Sequence, residues 1–413
     1  MALEKIETGL KAALLCDGTV LLADLLNGLP LASDVSCHGE ECHGKRPYTV
    51  ATVLGPIRLE RNYYYDRQMQ KGRFPLDQVL GLIHGSSPGL VRLMCWGGAQ
   101  SFSYPAASEA FQRYGGLQVD PRQIQRLVNE LGPKVTEVLD RPWQSETAAP
   151  SPTMYVSIDA TGVPMMGEEL TGRKGKQPDG SSKTREAKLG CIFTQHHVDK
   201  KGRPWRDLDS TTYVGSFEKS VDFGHRIHRE AVRRKVFQAQ KLIFIGDGAP
   251  WIWELVRIHF PQAIQILDFY HASQHLKLLA EALEPNNDGI VRATLERWQE
   301  CLRQNQLDQV IAEAIAQIPC QGPRRKAANQ QLAYLETNRQ RMQYGTFQKR
   351  GWFIGSGVIE AGCKTVIGQR LKQSGMFWSI LGAQNILSLR CASASRRFDQ
   401  AWDLLQSQPA LSA

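Results

Sequence analysis

Met154-Tyr155-Val156-Ser157-Ile158-Asp159 is a run of β-formers with alternating apolar side chains, closed by an acid. Such a run predicts a strand. Aspartate is a poor strand interior residue, so Asp159 is read as the strand's end, with Ala160-Thr161-Gly162 turning away. A second run, Lys241-Leu242-Ile243-Phe244-Ile245-Gly246-Asp247-Gly248, is apolar throughout, which suits a strand buried on both faces. Asp247 again stands at its C-terminal end. Either aspartate could simply start a turn. Together they could converge and bind a divalent metal.

A third acid fits the pair. In Gly355-Ser356-Gly357-Val358-Ile359-Glu360-Ala361-Gly362-Cys363-Lys364 a glycine-bearing loop opens onto a helix. Ser356 is the expected N-cap, Glu360 sits where the helix dipole favours a carboxylate, and Lys364 follows on the same side.

The elements around these acids read as strands at Leu189–Thr194, Thr211–Phe217 and Ile264–Tyr270, with helices over 222–240 and Trp251–Phe260. Three strands, helix, strand, helix, strand predicts a mixed α/β sheet, antiparallel at first and parallel later. His271 and His275 share one face at the start of the next helix. His271 is placed near the carboxylates, where it could touch a phosphate or orient an acid; an ordinary core or surface histidine is the alternative. Residues 272–345 then read as helical, broken at Pro319-Cys320-Gln321-Gly322-Pro323.

The N-terminal third reads differently. Residues 1–30 form an amphipathic helix or pair. Tyr48–Val53 and Pro56–Tyr65 make a β-hairpin. Cys37-His38-Gly39-Glu40-Glu41-Cys42-His43 crowds potential zinc ligands, but a structural site usually draws two ligand pairs from separate turns, and no second pair follows. Little zinc is expected. Ser86-Ser87-Pro88 and Ser103-Tyr104-Pro105 are helix starts. Ser101–Tyr114 and Asp120–Leu127, joined at Gly115-Gly116, resemble a helix–turn–helix whose Arg122 and Arg126 could face a DNA groove; a plain helical hairpin with a solvated basic face is the other reading. Pro142–Pro152 reads as a linker.

A chain of 413 residues exceeds one ordinary core. Its formal charge is +9, and the segment 321–413, with 13 Lys and Arg against 4 Asp and Glu, equals that whole excess. This favours a polyanion partner. Nine scattered cysteines, an odd number, suit free thiols in a reducing compartment. No apolar run reaches the roughly 20 residues that span a bilayer, and the N-terminus lacks a secretion signal. A cytoplasmic protein with no membrane partner is expected.

The motifs Ser157-Ile158-Asp159-Ala160-Thr161-Gly162, Gly246-Asp247-Gly248-Ala249 and Gly355–Glu360 through Gln369-Arg370-Leu371-Lys372-Gln373-Ser374-Gly375-Met376-Phe377-Trp378 resemble those of DDE transposases of bacterial insertion sequences. The Kra-type (ISKra) group is most similar, Mutator-like enzymes more distantly. The resemblance implies a ribonuclease-H-like catalytic domain interrupted by an all-helical insertion. It implies Asp159, Asp247 and Glu360 as a triad holding two Mg²⁺ ions, with Mn²⁺ as substitute. Asp268-Phe269-Tyr270-His271 matches an acid-x-x-His motif of related groups. A tryptophan of the insertion, here Trp298, is implied to stack on a DNA base. Relatives tend to carry two N-terminal cysteine pairs; Asp66 and Met69 stand where the second would fall.

The domains expected are an N-terminal module over 1–82, a helical DNA-binding region and linker over 83–150, the first catalytic part over 151–271, the insertion over 272–350, and the final catalytic part with basic helices over 351–413. Lys364, Arg370, Lys372 and the loop residues Arg173, Lys174 and Lys176 are expected DNA contacts. The expected partner is double-stranded DNA, terminal repeats and target alike, bound by at least a dimer. The expected activity is cleavage and joining by two-metal phosphodiester chemistry. The alternatives are a nuclease that does not join, and a DNA-binding protein that kept the fold without the chemistry.

Overall fold

The computed structural model describes residues 2–29, 39–141, 151–170, 184–285 and 287–407. The linker at 142–150, the basic loop with Arg173, Lys174 and Lys176, and Cys37 and His38 lie outside the described residues. The chain divides into two units: residues 1–139 with 373–375 and 381–413, and residues 140–372 with 376–380.

The first unit begins with α1 (Ala2–Gly28), a single helix rather than a pair. Strands β1 (Glu40–Thr52) and β2 (Gly55–Asp66) form the expected hairpin, longer than read, and β3 (Lys71–Arg73) adds a third strand to it. The turn needs Gly55, whose φ of +133° few side chains tolerate. Val50, Ile57 and Leu59 form a small core against Leu22 and Leu26 of α1. Helices α2 (Pro75–Val79), α3 (Pro88–Gln100), α4 (Tyr104–Ala110) and α5 (Pro121–Asp140) follow. The serine caps are as expected: Ser87 Oγ accepts from the Leu90 N–H and Ser103 Oγ from the Ala106 N–H. Five residues after α4 wind as one π-turn, and Gly116 closes it at φ +69°. Arg122 and Arg126 are exposed on α5, while Ile124, Leu127, Val128 and Leu131 are buried at helical spacing. Cys42 and His43 lie on β1, and the eight described cysteines are free thiols.

The second unit is a five-stranded sheet wrapped by helices. Its strands are β4 (Thr153–Pro164), β5 (Thr184–Gln195), β8 (Thr212–Ser216), β9 (Lys241–Gly246) and β10 (Ile264–Leu267); the short β6 (His197–Val198) and β7 (Pro204–Trp205) pair separately. The order is β10-β9-β4-β5-β8. The β4–β5 and β5–β8 pairs are antiparallel; β4–β9 and β9–β10 are parallel. The antiparallel-then-parallel sheet is the one the sequence predicts. Asp159, however, does not end β4, which runs on to Pro164 paired with β5. What ends is pairing on its other edge, where β9 follows β4 only as far as Ser157↔Ile245.

Helices α6 (Ser220–Arg233) and α7 (Pro250–His259) alternate with the later strands. A Cβ on Gly190 would strike Ile227 of α6, whereas a Cβ on Gly362 would meet Leu189. Neighbouring strand residues face opposite ways, so α6 and the helix of Gly362 cover opposite faces of β5. Between β10 and that helix lie α8 (Phe269–Leu283), α9 (Asp288–Arg303), α10 (Leu307–Gln317), α11 (Pro323–Thr337) and α12 (Tyr344–Lys349). This is the expected helical block.

The chain then runs through α13 (Gly357–Gly362), a π-turn at Cys363–Gly368, α14 (Gln369–Leu371), α15 (Ile380–Ala394) and α16 (Phe398–Gln406). From Leu381 onward the chain clusters with the N-terminal residues, not with the sheet. The reason is packing: Arg390, buried, donates to the Ala99 carbonyl at 2.7 Å, and Gly132 leaves room for Asn385. No described helix is long and apolar enough to cross a membrane.

Candidate active site

Three parallel strands lie side by side as β10-β9-β4, and acids stand where their mutual pairing stops. Asp268 follows β10 and Asp247 follows β9. Asp159 lies two residues past the point where β4 leaves β9. In open α/β sheets this edge is where ligands bind, because the diverging strand ends leave a crevice. Glu360 reaches it from α13, which packs on β4 and β5.

Asp268 is fully buried and fully used. As N-cap of α8 its Oδ1 accepts from the His271 N–H at 2.7 Å and lies 3.1 Å from His271 Nδ1. Its Oδ2 accepts from the Ser356 N–H at 2.5 Å. Burial alone would push this carboxyl up; the hydrogen bonds from His271 and Ser356 outweigh it and hold it below its ordinary value. Ser356 does not cap its helix through its hydroxyl, as the sequence suggests. Its Oγ donates instead to Glu360 Oε1 at 2.8 Å. A carboxylate is a charged acceptor, so this hydrogen bond is charge-assisted. One buried acid thus positions both His271 and, through Ser356, Glu360.

His271 is the hub. Ligand atoms of Asp268, His271 and Glu360 lie within 4.8 Å of one another. The hydrogen bond to Asp268 raises the imidazole above its ordinary value against desolvation, and the charges of Asp268, Asp247 and Glu360 raise it further. Burial likewise pushes the Asp159 carboxyl up, with the Asp247 charge adding; the Ala160 N–H, the Cys363 thiol and His271 pull it back. The crowding of like charges at this edge is what hard divalent cations relieve, and carboxylate oxygens are the donors they prefer. Asp159, Asp247 and Glu360 are each half-buried, and one oxygen of each accepts a local hydrogen bond, from the Ala160 N–H, the Ala249 N–H and the Ser356 hydroxyl.

Two tyrosines of the helical block hold the strand ends. Tyr334 donates to the Asp247 carbonyl and Tyr344 to the Leu267 carbonyl, each at 3.0 Å. Tyr334 also stacks on His275 with ring centroids 3.4 Å apart, and His275 Nδ1 meets Gln331 Oε1 at 2.6 Å. His275 is therefore a packing residue of the block. Tyr334 and Cys363 are not singled out in the sequence, and Ser356 reads there as a cap rather than as the donor to Glu360.

The expected DNA contacts divide. Lys364 is exposed on the π-turn beyond α13. Lys372 Nζ donates to Thr161 Oγ1 at 2.7 Å, on the strand of Asp159. Arg370 is buried, with its guanidinium carbon 4.9 Å from the centre of the Trp378 ring, so it is structural here rather than a phosphate contact. Trp298 is fully buried, and its indole N–H bonds Glu313 at 3.0 Å. It is the core of the helical block and in this structure offers no face to a base.

Fold and site define a mixed α/β protein with a carboxylate-lined sheet edge closed by an inserted helical block. The chain belongs to the uncharacterised protein family UPF0236, whose pattern matches residues 1–399. A UPF0236 protein of Caldanaerobacter subterraneus subsp. tengcongensis is 25% identical over 256 residues, 60% of this chain. The match covers 48% of that relative, so the chain spans about half its length. Among solved structures, the Drosophila P element transposase strand transfer complex is similar at 10% identity and a TM-score of 0.26, over 78% of this chain and 80% of that one.

Proposed function

We propose that this chain is a DDE-type DNA transposase with a ribonuclease-H-like catalytic unit, cutting DNA at element ends and joining the freed strand to a target. The observation that carries the reading is that Asp159, Asp247 and Asp268 stand along one edge of adjacent parallel strands, with Glu360 of α13 within ligand distance of Asp268 and His271. Sheet order, inserted helical block, net positive charge and sequence resemblance support it. Asp159, Asp247 and Glu360 would hold two Mg²⁺ ions, which supply an activated water and stabilise the leaving oxygen.

The chain's own residues do the positioning. Asp268 fixes His271 through ring and backbone. It also fixes the Ser356 backbone, and Ser356 in turn orients the Glu360 carboxylate. His271, whose proton affinity is raised by the Asp268 hydrogen bond and the charges of Asp268, Asp247 and Glu360, can offer a cation to a phosphate oxygen entering the crevice. Lys372 and Lys364 flank the same edge and suit backbone phosphates. Joining two ends calls for at least two copies of the chain.

The test is labelled DNA from the flanks of the encoding element, incubated with the protein and Mg²⁺ or Mn²⁺. Nicked and joined strands are expected. Glu360→Gln should lower cleavage at least about 100-fold while DNA binding persists. Cleavage at the parent rate in that variant removes Glu360 from the chemistry. Nicks without joined product make the protein a nuclease.

A further inference from the structure

A second cleft of about 580 Å³ opens beside the acid edge, within the same unit. Gly355 and Gly357, which flank Ser356, form part of its wall. A Cβ on Gly355 would come within 3.1 Å of the Tyr270 ring, so Tyr270 lies directly against the loop that leads to Glu360. Two large aromatic side chains of this cleft are left in solvent: Trp205 is 59% exposed and Tyr270 69%. Both come from short anchored elements, β7 and the first turn of α8.

Its charges are cationic or cancelled. The Arg303 guanidinium carbon stands 4.5 Å from the centre of the Phe269 ring, and its nearest acid, Glu300, is 3.9 Å away. Asp199, the acid of the lining, is already bound by Arg203 Nε at 2.7 Å and by the backbone N–H groups of Lys201 and Arg203. A cavity of this size holds a molecule of nucleotide dimensions. Exposed aromatic faces beside a guanidinium are what a single nucleic-acid strand uses: bases stack in sequence-tolerant fashion and phosphates meet the cation. Paired bases already stack on one another and have no face to give.

The geometry points to this cleft as a binding site for an unpaired nucleotide of a DNA strand, stacked on Trp205 and Tyr270 next to the acid edge. The assignment deepens the transposase reading and rests on it.

The test uses the full chain carrying Glu360→Gln, so that no cutting intervenes. Its probes are a short oligothymidine strand with a terminal 2-aminopurine and the matching duplex. Stacking on an aromatic side chain quenches 2-aminopurine, so binding of the single strand should lower its fluorescence. Adding Trp205→Ala should weaken the single strand by about 5- to 150-fold, the range one base–aromatic stack commands. Duplex binding should change less than twofold, and Trp205→Phe should recover most of the loss. Tyr270→Ala should act in the same direction.

Unchanged single-strand affinity in both alanine variants overturns the assignment, as does equal loss of duplex binding. Absence of quenching in the parent overturns it even where a variant fails to fold. These readouts stand apart from the cleavage test: a protein that stacks a base but cleaves normally with Glu360→Gln keeps the cleft and loses the triad.

Discussion

Asp268→Asn probes the arrangement most sharply, because the side chain is fully buried and accepts on both oxygens. An asparagine has one acceptor oxygen and one NH₂. If the oxygen faces His271, the NH₂ confronts the Ser356 N–H; if it faces Ser356, the NH₂ confronts the His271 N–H and ring. Either way one or two buried donors lose their acceptor, at about 1–3 kcal/mol each, and a charge-assisted pair is lost. Unfolding in urea should show a loss of about 2–5 kcal/mol at neutral pH.

The pH dependence should change with it. The native imidazole of His271 titrates above its unfolded value of about 6.5, so the pair adds stability below that pH, lost as pH rises through the native value. Asp268 titrates below its unfolded value of about 3.9, so its share is present above that pH and lost as pH falls through the native value. In the variant, NMR titration should find His271 shifted down and the first of these slopes flattened. A stability change under about 0.5 kcal/mol with an unmoved His271 would refute the view that Asp268 organises the site.

Trp298→Ala should destabilise the protein by about 3–5 kcal/mol in denaturant while the folded fraction keeps its DNA affinity; lost affinity at unchanged stability would return Trp298 to the DNA surface. Arg370→Ala should lower the melting temperature, whereas Lys372→Ala should leave it in place and weaken DNA binding with a shallower salt dependence. Mg²⁺ at about 100 times its dissociation constant should stabilise the protein by about 2.7 kcal/mol, and Asp247→Asn or Glu360→Gln should abolish most of that shift in a thermal melt. Tyr334→Phe, which removes one hydrogen bond to the Asp247 carbonyl, should cost about 0.5–1.5 kcal/mol and speed amide exchange at the end of β9.

How much was legible follows from what each signal depends on. β9 could be read because a strand covered on both faces must be apolar throughout; the sequence reads it to Asp247, and it stops one residue earlier, at Gly246. β4 was legible as a strand but not in length: Asp159 tolerates its interior position because one edge there is open. The acid-x-x-His motif at Asp268 to His271 comes from the family resemblance; read from its residues, Ile264–Tyr270 looks like one strand, but the strand stops at Leu267 and Asp268 caps α8. What Asp268 does for Ser356, 88 positions away, is not local. Arg370 and Trp298 look like surface contacts in a basic, aromatic sequence; only packing shows one beneath Trp378 and the other inside a helical block. The fate of the C-terminal helices depended likewise on which surface Asn385 and Arg390 found to fill.

The tethers made by Tyr334 and Tyr344 bear on how the molecule comes into being. The ribosome releases Asp159, Asp247 and Asp268 long before Glu360, and the two phenols that steady the strand ends emerge in between. Until Ser356 has been made, Asp268 lacks the amide that satisfies its second oxygen. A nascent polypeptide therefore carries three acids awaiting a fourth.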